Sequence, residues 1–234
     1  MALTGEEFVK EIQDMVNRKH SKDHPLIGMI QRGELTPPQL KGFVGQFYLF
    51  FPKPFPKPIA AMLGRCPDDP ELERMWIENV VEEGTGEITG TESHRGLYIK
   101  FAEACGYTRD ELDQVEPLPE THAFLDWREL LIYQRSWLEL YACQGFCLEG
   151  TAAPRMARIV EGLTRHYGFQ DDQIRYWTLH MSVDEDHMKV GPEAVRRYAL
   201  TDDLQQQVRR SVQKTLDIFW LAFDGIQRAF VEQR

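Results

Sequence analysis

The 234-residue sequence is poor in cysteine, has no long apolar run and carries fewer basic than acidic side chains. Each shortage removes a class of protein. Four cysteines (Cys66, Cys105, Cys143 and Cys147) are too few and too scattered for a disulfide framework in a chain of this length, and no two form a CxxC pair of the zinc type. No apolar run reaches the ~20 residues that a membrane helix needs, so no membrane span is expected. The start, Met1-Ala-Leu-Thr-Gly-Glu-Glu-Phe8, has no basic region leading into an apolar one, and no secretory signal is expected either. Lys and Arg number 27 against 37 Asp and Glu, a net charge of −10. Phosphate contacts need clustered cations, so this balance argues against a nucleic-acid partner. Together these absences predict a reduced, soluble, cytoplasmic protein. The 42% hydrophobic and 27% charged content is that of a globular chain.

Sustained strand alternation is also missing, and what fills the chain is helix. Thr4-Gly-Glu-Glu7 is a capping-box start, with Phe8, Ile12, Met15 and Val16 following at helical spacing. Thr36-Pro37 caps a second helix that runs into Phe51-Pro-Lys-Pro-Phe-Pro-Lys-Pro58, where four prolines must bend or break it. Further helices are expected over Pro70–Glu83, from near Thr91 to Gly106, after the Thr108–Glu111 box, and from about Glu120 to Glu149. Beyond a kink at Gly150–Pro154 and a stretch ending at Gly168, two long helices are expected at about Asp171–Ala199 and Thr201–Gln233. No repeat and no linker divides the chain. The expectation is one all-α domain, residues 1–234, a bundle of about seven or eight helices with Phe47, Phe101, Trp137, Phe219 and Trp220 in its core.

The sharpest chemical signal is His180-Met-Ser-Val-Asp184-Glu-Asp-His187. On one helix, offsets of 0, 4 and 7 place His180, Asp184 and His187 on a single face. Two imidazoles and a carboxylate on successive turns are ligand types for iron, manganese or zinc, and helical bundles build such sites in their cores. Glu149 is a partner: it ends the otherwise small and apolar run Cys143-Gln-Gly-Phe-Cys-Leu-Glu149, where a buried carboxylate is costly unless protonated, paired or metal-bound. Glu83 and His94 are the second pair. Eleven residues of straight helix would hold them ~16 Å apart, so both reach one metal only if Gly84, Gly86 and Gly90 let the chain fold back. Glu87 is the rival for the carboxylate position and Glu82 a weaker one. The six residues Glu83, His94, Glu149, His180, Asp184 and His187 suffice for two metals bridged by a carboxylate.

This pattern resembles the haem-oxygenase-like di-metal oxidases and oxygenases, relatives of the pyrroloquinoline-quinone synthase and thiaminase II fold. That family has a Glu and a His around its third helix, a Glu on the next long helix, and a His-x3-Asp-x2-His element, which His180, Asp184 and His187 match letter for letter. Supporting likeness lies at Gln46-Phe-Tyr48, Asn79 to Glu83, His94 to Gly106 and Phe219-Trp220. The resemblance implies a haem-oxygenase-like helical fold, two Fe(II) ions or a mixed Mn/Fe pair, O2 as co-substrate, a small-molecule substrate of amino-acid or carboxylate type, an external electron donor and a homodimer. Members N-oxygenate amines, cleave C–C bonds, decarboxylate oxidatively or assemble p-aminobenzoate. The synthases of p-aminobenzoate keep a lysine beyond the Glu149 position. This chain has none between Lys100 and Lys189, which argues against that self-sacrificing route. Tyr176, one turn before His180, is the candidate catalytic residue near the metals.

Two other enzymes fit parts of the pattern. A thiaminase II-like hydrolase would use Cys143, six residues before Glu149, as nucleophile, although Leu221 stands where that type resembles its relatives in having an acid after Phe-Trp. A cofactorless quinone-synthase-like oxidase would use the histidines on a polar precursor. Lys53, Lys57, Arg128 and Arg158 are the candidate partners for a substrate carboxylate, and Phe47–Phe51 with Pro52–Pro58 either line a pocket or fill the core.

Overall fold

The four capping signals read from the sequence each start a helix. Thr4 caps α1 (Gly5–Arg18), Thr36 caps α3 (Pro37–Phe50), Thr108 caps α7 (Arg109–Asp113) and Thr201 caps the long last helix. These are local hydrogen bonds to backbone amides that a helix cannot satisfy itself. The structure, a computed structural model, describes residues 1–181 and 190–232. Between the capped helices lie α2 (Pro25–Gln31), α4 (Lys57–Leu63), α5 (Pro70–Thr85), α6 (His94–Ala104), α8 (Pro119–Gln134) and α9 (Trp137–Ala142). A π-helical segment, Cys143–Glu149, then leads to α10 (Ala152–Arg165), α11 (Arg175–Leu179), α12 (Val190–Tyr198) and α13 (Asp202–Phe230). No strand occurs among the described residues, and no helix there is long and apolar enough to cross a membrane.

Helix α13 is the spine. It packs on α8, α3 and α9, while α10 lies on α2, α12 lies on α9 and α1, and α4 pairs with α5. One hydrophobic cluster extends from Phe8 to Ile226 and contains Phe47, Phe101 and Phe219 at full burial. Trp137 and Trp220, expected in the core, are only half-buried; the Trp220 ring lies tilted against His24, with centroids 4.7 Å apart.

The described residues form more and shorter helices than the seven or eight expected, because two long helices are interrupted. The expected run from Glu120 to Glu149 stops at Gln134, and Arg135 is extended at ψ 167°. The Arg65 guanidinium accounts for the stop: it donates to the carbonyls of Leu131, Ile132 and Arg135, which a continuing helix would need. Ser136 then opens α9 with a new capping box to Glu139. The expected run from Asp171 begins only at Arg175, and its first helix ends with His180 as C-cap. Residues 182–189, which include Asp184 and His187, lie outside the described residues.

The π segment closes with an amide bond of the wide kind, Gly150 N–H to the Gly145 carbonyl at 2.9 Å. Its fit depends on bare backbone. A Cβ on Gly145 would lie 2.6 Å from Gly191 Cα and 2.7 Å from Gly191 N, so α12 seats directly against the segment. Gly145→Ala is therefore expected to destabilise the protein by ~1–3 kcal/mol through this backbone clash. Gly106→Ala, at φ +85° but with nothing within 4 Å, should lose only the left-handed penalty, about 1 kcal/mol. Urea unfolding of both variants checks this; equal losses would mean that α12 does not clamp the π segment.

Candidate metal centre

Asn79, Glu82 and Glu83 stand at helical offsets 0, 3 and 4, on one face of α5. Helix α5 ends at Gly86, whose φ of +69° turns the chain back. The return loop is built on Glu82. One of its oxygens accepts from Ile88 N–H at 3.0 Å and Thr89 N–H at 3.1 Å, and the other from the Thr89 hydroxyl. Gly86 is also required by proximity, since a Cβ there would meet the Glu92 carbonyl at 2.2 Å. The glycine-dotted segment thus folds back as the sequence suggested, and Ser93 caps α6 so that His94 arrives as its first residue.

His94 is held on both sides. Its Nε2–H donates to Glu82 Oε1 at 3.0 Å, and its Nδ1 faces Glu83 Oε2, also at 3.0 Å. His180 repeats the logic from α11. Its Nδ1–H donates to the Tyr176 carbonyl at 2.7 Å, and its Nε2 lies 3.9 Å from Glu83 Oε1. The two rings meet edge to face, with centroids 4.7 Å apart. One donor atom each from Glu83, His94 and His180 falls within a 4.8 Å cluster, a spacing that could hold a metal ion. Each imidazole gives one nitrogen to a protein acceptor and turns the other toward Glu83. That is how metal-binding histidines are oriented. The imidazole and carboxylate donors suit iron or manganese, so the residues present fit such an ion.

The electrostatics of the metal-free cluster follow from this geometry. Burial pushes the Glu83 carboxyl up, but the two imidazoles outweigh it and hold the carboxyl well below its usual range. Burial pushes His94 down, but Glu83 and then Glu82 outweigh it and raise the ring to about 9. His94 is therefore an imidazolium at neutral pH. The folded value lies above the ordinary 6.5, so this contribution to stability is complete below pH 6.5 and disappears as pH rises through about 9. The Glu83 contribution has the opposite sense: it is present above pH 4.5 and fades as pH falls through the depressed value.

Glu149, delivered by the π segment, lines the same cavity as Glu83, Tyr176 and His180. Its Oε1 accepts from Gln144 Nε2 at 2.9 Å and from Asn79 Nδ2 at 3.5 Å. Tyr176 is buried, with its ring 4.4 Å from His180 and 4.8 Å from Tyr98. Glu87 is exposed, and its backbone N–H donates to Thr85. Phe51, Pro52 and Phe55 line the cavity, while Phe47 and Phe50 are core. The sequence pattern marks Glu82 only as a weak rival ligand and does not single out Gln144 or Arg155. The shared face of Asn79, Glu82 and Glu83 was the available signal for Glu82; Arg155 lines the cavity and gave no such signal.

Glu82→Gln should weaken binding of Fe(II) at the His94 position by ~10–100-fold, because one of its two acceptor oxygens becomes an NH2 donor and the remaining one cannot serve both the loop amides and the ring. Glu87→Gln should leave binding unchanged. Calorimetric titration in buffers of different ionisation enthalpy should also show release of about one proton per ion bound at pH 7.5, the one displaced from His94. Equal effects of the two substitutions, or no proton release, would contradict this arrangement.

Known proteins resemble the chain over most of its length. The chain is 28% identical over 218 residues to a 4-aminobenzoate synthase of Chlamydia trachomatis, covering 91% of this chain and 89% of that protein. It is 25% identical to a pyrroloquinoline-quinone synthase of Acinetobacter baylyi, covering 97% and 88%. Among solved structures, a TenA homologue from Pseudomonas syringae superposes with a TM-score of 0.79 at 16% identity, covering 94% and 93%, and shares the fold. A family model described as iron-containing redox enzyme, with the haem-oxygenase-like fold, matches residues 41–220. The chain belongs to this family of iron-containing redox enzymes.

Proposed function

We propose that the protein is a non-haem iron oxidase or oxygenase that uses O2 to oxidise a small amino-acid- or carboxylate-type metabolite. The observation that carries this reading is the pair of imidazoles, each fixed through one nitrogen and directed through the other at Glu83. Glu83, His94, His180 and Glu149 would hold iron, with Asp184 and His187 completing a second position. Bound Fe(II) supplies the electrons that reduce O2, and an external donor restores them.

The chain's own groups prepare that chemistry. Glu82 fixes the His94 ring, and the Tyr176 carbonyl fixes the tautomer of His180. Gln144 and Asn79 steady Glu149. Phe51, Phe55, Leu148 and Met156 wall the cavity side of the donors with apolar surface, which limits the water there. The absence of lysine between Lys100 and Lys189 favours action on an external substrate over self-modification. The hydrolase alternative shares the fold of the TenA homologues. Against it, Cys143 is fully buried and burial pushes its thiol up to about 12, far from the thiolate a nucleophile needs.

Anaerobic Fe(II) loading followed by rapid mixing with O2, across a panel of amino acids and fatty acids, is the direct assay. Two Fe(II) per chain and substrate-dependent O2 uptake are expected. Glu149→Ala should abolish uptake and leave the helical fold intact, since removing a carboxylate held for metal relieves repulsion in the metal-free protein. Turnover without bound metal would point to the cofactorless alternative. Unchanged uptake in Glu149→Ala, with marked loss of stability, would make that residue structural.

A further inference from the structure

Two lysines singled out in the sequence, Lys53 and Lys57, acquire a role from their position beside the metal centre. The inner cavity, with a volume of about 40 Å³, holds little more than one or two waters. On the other side of Glu83 lies a basin of about 300 Å³ whose rim carries Lys53, Lys57 and Arg95. Glu83 and Phe55 line both spaces, so one carboxylate and one aromatic ring form the wall between them. Lys53 and Lys57 also border an outer groove of about 610 Å³.

Three cations on the rim of one basin are a local reversal in a chain of net charge −10. Lys53 Nζ donates to the Asp113 backbone carbonyl at 2.9 Å, which leaves its charge uncompensated by that bond. Lys57 is exposed and makes no ion pair among the described residues. Arg95 donates through Nη2 to the Tyr48 hydroxyl at 3.0 Å and to Asp113 at 3.5 Å, and its buried Nε has no hydrogen-bond partner among the described residues. The inner cavity presents Glu83, Glu149 and His180 between apolar walls. Arg155 also lines it, with Nη1 donating to Ser21 and Thr151 hydroxyls at 2.7 and 3.0 Å.

Resting on the oxidase reading, we infer that the substrate is an amphiphilic organic carboxylate bound with its anionic group at Lys53, Lys57 and Arg95 and its apolar body directed past Phe55 toward the metal centre. The carboxylate stays outside, attracted by the three cations and walled off by Phe55 from an inner cavity of only about 40 Å³. Oxidation then falls on a part of the molecule remote from the carboxylate, and head-on decarboxylation is disfavoured. Entry requires the Phe55 ring to move, which merges basin and cavity.

Equilibrium binding of octanoate and of its neutral analogue octanamide to the full-length, anaerobically Fe(II)-loaded chain tests this without turnover. Octanoate should bind more tightly than octanamide. Lys57→Glu should weaken octanoate by roughly fivefold or more, with octanamide unaffected and Lys57→Arg restoring affinity. Arg95→Gln should act in the same direction. Octanoate affinity that survives both rim substitutions but is lost in Arg155→Gln would place the carboxylate inside and overturn the inference. Binding of neither probe would overturn it as well. Failure of the oxidase reading is separate: it would appear as absent iron or absent O2 uptake while octanoate still bound in a rim-dependent way.

Discussion

A single buried imidazole gripped from both sides by consecutive carboxylates is the constraint on which the site depends. Glu82 and Glu83 project from neighbouring positions on α5, and His94 lies between their oxygens at 3.0 Å from each. Burying these groups is costly, and their mutual arrangement offsets the cost. Glu82 does two jobs with the same side chain. It accepts the loop amides that turn the chain after Gly86, and it orients the ring that the loop delivers. Loop closure and ring orientation are therefore one event, not two. Glu83 is left to face His94 and His180 together.

The remaining pieces are brought to this pair by features that look like interruptions. The proline-rich segment ends α3 and supplies Phe51, Pro52 and Phe55 to the cavity wall. The π segment departs from regular helix at the place where Glu149 must reach the cavity, and it does so against the bare backbone of Gly191. Helix α11 is only five residues long, but its end sets His180 against its own Tyr176 carbonyl. Irregular backbone at a site has a cost in stability that the surrounding helices meet. Here α13, packed on α3, α8 and α9, provides that frame.

Much of this was legible in the sequence where the signal was local. The capping boxes at Thr4 and Thr108 use side chains three residues away, the Thr36 cap is followed at once by proline, and each appears where expected. The approach of His94 to Glu83 was legible too, because glycines at 84, 86 and 90 left few other paths for the chain. The break at Arg135 was not, since the Arg65 side chain that takes the α8 carbonyls comes from 70 residues earlier. Nor does the sequence, which ranks Glu82 below Glu83 as a ligand, reveal what Glu82 does instead. Its bonds to Thr89 and His94 appear only in the fold. The His-x3-Asp-x2-His stripe is legible as sequence, but of its three members only His180 lies among the described residues. The widened turn at Cys143–Glu149 depends on α12 and left no periodic trace.

The central claim is that Glu83, His94 and His180 form one metal position in which His94 uses Nδ1 and His180 uses Nε2. Diffraction from Fe(II)-loaded crystals on either side of the iron absorption edge tests it most directly. The account predicts an anomalous peak between Glu83 and those two nitrogens, with the Glu82 bond to His94 Nε2 intact. A peak elsewhere in the bundle, or iron on His94 Nε2 with Glu82 displaced, would contradict it.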